Sequence, residues 1–157
     1  MRRRMLALGL LLFPAALALA ALPCKTKEEA MAEAVTGFFT VQRIGAERCD
    51  ALLGGDALMA LHRQIETRYG QHISGAQATR TAYFQRAYGE RAQQELARVE
   101  ALMTDLFNST LSIDETSCGQ LKEALAKRLA GGWEPIEQRL QRRVQGVASL
   151  DQNVCEE

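Results

Sequence analysis

Beyond residue 26, no stretch of this chain alternates apolar and polar residues for long. Apolar side chains recur at every third or fourth position instead. A period near 3.6 lines them along one face of an α-helix, whereas a half-buried strand needs a period of two. The spacing predicts an all-α domain, an antiparallel bundle of five or six amphipathic helices joined by short loops.

The expected elements follow from the stripes and their punctuation. A first helix is expected over residues 26 to about 43, opened by the capping-box spacing of Thr26 and Glu29. Met31, Ala34, Val35, Phe38 and Val41 make its apolar face, and Gly45 is expected to end it. Gly37 interrupts its middle, where glycine costs ~1 kcal/mol relative to alanine. Asp56 is placed to cap a second helix striped by Leu58, Leu61, Ile65 and Tyr69, with Gly70 as its stop. Ser74 or Gly75 opens the next helical region. It holds Ala76, Tyr83, Phe84, Ala87 and Tyr88, then, past Gly89, Ala92, Leu96, Val99, Met103 and Leu106. Periodicity leaves open whether this is one long helix or two. Residues 108–116 read as a polar loop. Ser117 and Gln120 have capping-box spacing before a helix to about residue 130. Gly131-Gly132 breaks it, and Pro135 fits the start of a last helix striped by Ile136, Leu140, Val144 and Val147.

The beginning of the chain has a different character. Arg2, Arg3 and Arg4 precede an apolar run over 5–22, broken by Gly9 and Pro14 and carrying Ala18-Leu19-Ala20 near its end. A basic segment, an apolar segment and a small-x-small site make a secretory signal peptide over residues 1–20. The rest, 21–157, is of single-domain size. The 18-residue apolar run falls short of the ~20 residues of a spanning helix. Pro23 before Cys24 fits a lipidation site poorly. The expected address is the periplasm or the exterior, with no stable membrane span after cleavage. Loss of the leader leaves 16 Lys and Arg against 19 Asp and Glu. That balance argues against nucleic acid as a partner.

Export gives the four cysteines their meaning, because an oxidising compartment lets Cys24, Cys49, Cys118 and Cys155 pair into two disulfides. If the last two helices form a hairpin about Gly131-Gly132, Cys118 and Cys155 meet at one end. This favours Cys118–Cys155 with Cys24–Cys49. The nested pairing, Cys24–Cys155 with Cys49–Cys118, stays open. No CxxC exists, so the spacing matches neither a thioredoxin-like nor a paired-cysteine zinc motif, and CxxCH haem attachment is absent too.

Other chemistry is sparse. His62 and Glu66 stand four apart on one helix face, with His72 beyond, and the three are candidates for a divalent metal. His72 is expected in a loop after Gly70. No GxSxG elbow marks a nucleophilic serine. Arg80, Tyr83, Arg86 and Tyr88 combine the residue types enriched at binding hot spots and form a candidate partner surface. Arg139, Arg142 and Arg143 make a small basic cluster away from the apolar stripe of the last helix. It reads as a solvated face or a site for an anionic partner. The expectation is a non-enzymatic periplasmic or secreted protein without a cofactor. It would act by binding another envelope or secreted protein, as an inhibitor, immunity protein or adaptor. The alternative is a metal or small-ligand binder using His62, Glu66 and His72 or a cavity between helices.

Overall fold

The computed structural model describes residues 23–148 and 154–155. The signal peptide expected over 1–20 lies outside the described residues, as do Glu156 and Glu157 and the side chain of Val147. Six α-helices occupy the described chain: α1 (Lys27–Leu53), α2 (Ala57–Arg68), α3 (Gly70–Tyr88), α4 (Ala92–Thr110), α5 (Glu115–Ala130) and α6 (Glu134–Ala148). Among the described residues there is no strand, and one isolated bridge joins Lys25 to Val154.

α1 is the axis on which the rest is built. Its 27 residues rise ~40 Å, and it packs against each of the other five helices. It begins where the sequence predicts. The Thr26 hydroxyl accepts from Glu29 N–H, and the Glu29 carboxylate accepts from Thr26 N–H. It does not end at Gly45. Ile44, Gly45, Ala46 and Cys49 are all buried, and that packing outweighs the ~1 kcal/mol propensity deficit of one glycine. The helix stops at Gly54, whose φ of 71° and ψ of 34° are left-handed, the backbone state that glycine adopts without a Cβ penalty.

Four legs run alternately down and up. α1 descends. α2 and α3 climb back along it in sequence: Leu58 meets Asp50, His62 meets Phe39, and Arg86 reaches Glu29. They join at Tyr69, so α3 opens at Gly70 rather than at Ser74 or Gly75, and His72 is helical rather than in a loop. At Gly89, with φ 56° and ψ −126°, the chain reverses through a 3-10 turn into α4. α4 descends against α3, with Arg80 Nη1 donating to Glu100 across the hairpin at 2.8 Å. α5 and α6 climb again. Asp114 and Ser117 cap each other reciprocally, three residues before the start that Ser117 and Gln120 suggest.

The disulfides are Cys24–Cys155 and Cys49–Cys118, and no described cysteine is free. The favoured pairing, Cys118–Cys155 with Cys24–Cys49, is therefore corrected to the nested one, for two reasons. First, α1 runs on through Cys49. From Lys27 to Cys49 the helix rises ~33 Å, while the three residues before it extend at most ~10 Å. Cys24 cannot fold back that far. Second, α5 and α6 do not form a hairpin. Each packs on α1 in turn, making one interrupted leg. Cys118 enters at the bottom of α1 and Cys155 leaves at the top, where its N–H donates to the Lys25 carbonyl at 2.8 Å. The two bridges thus fasten the first leg to the last at both ends.

One core runs along α1, with Phe39, Leu58, Ile65, Leu125 and Leu140 buried in it. A smaller cluster of Tyr83, Phe84 and Ala92 closes the α3–α4 hairpin.

Candidate functional site

The space between the two staples is not filled. α4 packs on α3 and α1 but not along α6, so the bundle stays open on one side and leaves a groove of about 640 Å³. The volume lies within the ~300–1,000 Å³ of small-molecule sites. Its floor is the face of α1 that carries Ala30, Ala34, Gly37, Val41 and Gly45, residues three and four apart. Gly37 leaves its side of the groove open: a Cβ at this position would have no neighbour within 4 Å. At Gly45 the missing side chain has another use. A Cβ there would lie 3.0 Å from Leu121 Cδ2, so glycine lets α5 approach beside the inner disulfide.

Met103 and Phe107 of α4 form one wall, with Leu111 and Ile113 following at the lower end. Leu106, expected in the inward stripe, is 53% exposed because α6 does not cover that part of α4; Leu102 is 56% exposed. The opposite wall is basic. Arg128 of α5 and Arg139 and Arg143 of α6 line the groove, and among the described residues none of the three forms an ion pair. Arg128 is partly buried. Its guanidinium lies 5.0 Å from the Phe38 ring centroid, and Nη1 donates to Gln42 Oε1 at 3.2 Å. Burial, and then the charge of Arg139, push its pKa below the ordinary arginine value. Two cations are held together here without an acid between them. The acid that also lines the groove, Glu33, is bonded to Lys25 at the upper end. The sequence singled out Arg139 and Arg143 but not Arg128, whose partners come from a helix 86 residues earlier.

The residues chosen as a partner surface are engaged within the fold. Arg86 bonds Glu29 at 2.5 Å and the Cys24 carbonyl at 3.2 Å, and lies over the Tyr83 ring. Tyr83 is buried, and burial raises the pKa of its hydroxyl. Tyr88 stacks on Phe84, and Arg80 pairs with Glu100. These contacts tie α3 to the start of α1 and to α4.

His62, Glu66 and His72 are not assembled as a trio. His62 is fully buried, with Nε2 3.2 Å from the Phe39 carbonyl and Nδ1 3.5 Å from Glu66 Oε2. His72 stacks on Trp133 at 4.1 Å between ring centroids. Among the described residues no three His, Cys, Asp or Glu side chains come together in a way that could hold a metal ion. Trp133 also stacks against Phe39 at 6.4 Å, closing the core at the α5–α6 joint.

Fold and site together define a disulfide-stapled, all-α domain with an open apolar groove. Two disulfides fit a protein outside the cytoplasm, and no described helix is long and apolar enough to cross a membrane. Comparison with protein-family models, curated proteins and solved structures finds no match for the chain.

Proposed function

We propose that this chain is an exported helical protein that holds a small apolar ligand in the groove between α1, α4 and the α5–α6 leg. The observation that carries the reading is a cavity of about 640 Å³, walled mostly by carbon and left open between two disulfides. Apolar surface exposed in this way is stabilised by an apolar occupant. Export to the periplasm or the exterior is supported by Arg2, Arg3 and Arg4, the apolar run after them and the Ala18-Leu19-Ala20 site. Action on a protein partner through Tyr83 and Arg86 is the weaker reading, since binding there would compete with the bonds to Glu29 and Cys24.

The test fills the groove from its floor. Gly37→Leu places a side chain where open space now lies and raises helix propensity by ~1 kcal/mol, so the variant folds. Titration with N-phenyl-1-naphthylamine, an uncharged dye that brightens in apolar surroundings, reads occupancy. The expected result is dye binding by the native chain, weakened about tenfold or more in Gly37→Leu (~1.4 kcal/mol per tenfold), with no fall in thermal midpoint. Equal binding by both proteins, or none by the native one, overturns the proposal.

A further inference from the structure

The two walls of the groove differ in a way that selects among apolar ligands. From Gln42 toward Cys49 the lining is uncharged: Gly45, Leu111, Ile113 and Leu121. That stretch of α1 spans ~10 Å. Beside Gln42, at the head of the stretch, stands Arg128, close enough to Arg139 to feel its charge, with Arg143 one turn further along α6. Arg128 already meets Gln42 and the face of Phe38, and among the described residues no carboxylate pairs with any of the three. A guanidinium presents paired N–H donors suited to a carboxylate. Arg128 is partly buried and feels the like charge of the exposed Arg139, a repulsion that an anion between them would relieve.

Building on the groove as a ligand site, we infer that its ligand is a single-chain amphipathic carboxylate. The head group is held by Arg128, Arg139 and Arg143, and the alkyl chain lies along the α1 floor toward Leu111 and Ile113. The desolvation of Arg128 agrees with this placement, because a charge in reduced dielectric interacts more strongly with a counter-ion than one in water. The ligand is a free amphiphile rather than a lipid in a bilayer. The groove runs between the disulfides at the two ends of α1, a geometry suited to enclosing one chain.

Displacement of N-phenyl-1-naphthylamine tests the inference on the disulfide-bonded protein, with decanoate, decan-1-ol and decyltrimethylammonium as competitors. Decanoate is expected to bind about tenfold or more tighter than the alcohol, the scale of one charge-assisted hydrogen bond. The cationic amphiphile is expected to bind weakest. Affinity should rise about fourfold per methylene from hexanoate to decanoate, equivalent to ~0.8 kcal/mol each. Arg139 and Arg143 are exposed, so R139Q/R143Q folds. With Arg128 retained, it should weaken decanoate about fivefold or more and narrow its preference over the alcohol, while the alcohol and the dye change less. If the dye binds but the alcohol and carboxylate bind alike, the carboxylate inference is overturned while the groove reading stands. If no probe binds, the dye included, the groove reading itself fails. Co-sedimentation with phosphatidylglycerol vesicles without binding of monomeric decanoate assigns the arginines to a membrane surface and overturns the free-amphiphile inference.

Discussion

Asp50 shows how much one side chain does in this bundle. It lies in the last turn of α1, 6% exposed, and its two carboxylate oxygens accept the N–H groups of Leu58 and Met59 at 3.0 and 2.8 Å. The first N–H groups of a helix have no partner within it, and their dipoles favour a negative charge. Asp50 therefore caps α2 from another helix. Asp56, the residue the sequence puts forward for that task, makes no side-chain cap bond. The sequence cue was local, whereas the actual cap comes from eight residues back, through the fold of the α1–α2 turn. Asp50→Ala is expected to lower stability by about 2 kcal/mol, since it leaves two N–H groups without their acceptor. A lower urea midpoint at an unchanged slope would check this. The other end of α2 uses the same logic with opposite sign. Arg68 Nη1 donates to the Leu129 carbonyl at 2.6 Å, and the Tyr69 hydroxyl lies 2.8 and 2.9 Å from the carbonyls of Arg128 and Gly131. These are the carbonyls that the end of α5 leaves unpaired.

At the scale of elements, the four legs and two staples act as one device. Cys49 and Cys118 are fully buried against the lower core, while Cys24 and Cys155 are partly exposed beside the paired arm and tail. A reductant reaches a disulfide through solvent, so the outer bridge should open first. Limited reduction followed by alkylation and peptide mass spectrometry is expected to label Cys24 and Cys155 well before Cys49 and Cys118. Loss of the inner bridge, in C49A/C118A, should be the more damaging. It releases a chain closure worth ~4 kcal/mol in the entropic account and also leaves space in a packed core. Thermal midpoints of the two double variants, compared at equal protein concentration, test the order. The leg structure was half legible. Each helix shows in its stripe, and a bend between two helices at Gly89 was one of two readings, though a reversal of the chain there was not. The straight passage from α5 to α6 was not legible, because Gly131-Gly132 permits a hairpin and a shallow joint alike. What chooses the joint is Trp133 packing on Phe39 and Tyr69, side chains contributed by α1 and by the α2–α3 junction.

For the whole molecule, the beginnings of α1 and α5 couple stability to pH. Partial burial alone would raise the Glu29 carboxyl, but its bonds to Arg86 and Thr26 and the charge of Arg86 leave it below its ordinary value of 4.5. The Ser117 N–H and hydroxyl hold Asp114 below its ordinary 3.8. A carboxylate whose pKa is lower folded than unfolded stabilises the fold above the unfolded value, and that contribution is lost as pH falls through the folded one. Stability should therefore drop on acidification from neutral to about pH 3. E29Q should be less stable at neutral pH and show a shallower acid limb, as read by thermal midpoint against pH. The sequence by itself determined that the described chain is helical, that Thr26 and Glu29 open its first helix, and that four cysteines serve as staples. These follow from 3.6-residue periodicity, from contacts three residues apart and from cysteine spacing, which are local or countable. The tertiary structure alone decided how far α1 runs, which cysteines meet, which helix caps α2, and that Gly37, Arg128, Arg139 and Phe107 share one groove. Each of those depends on the direction in which chain segments pack, and direction is set by buried contacts between residues from eight to tens of positions apart.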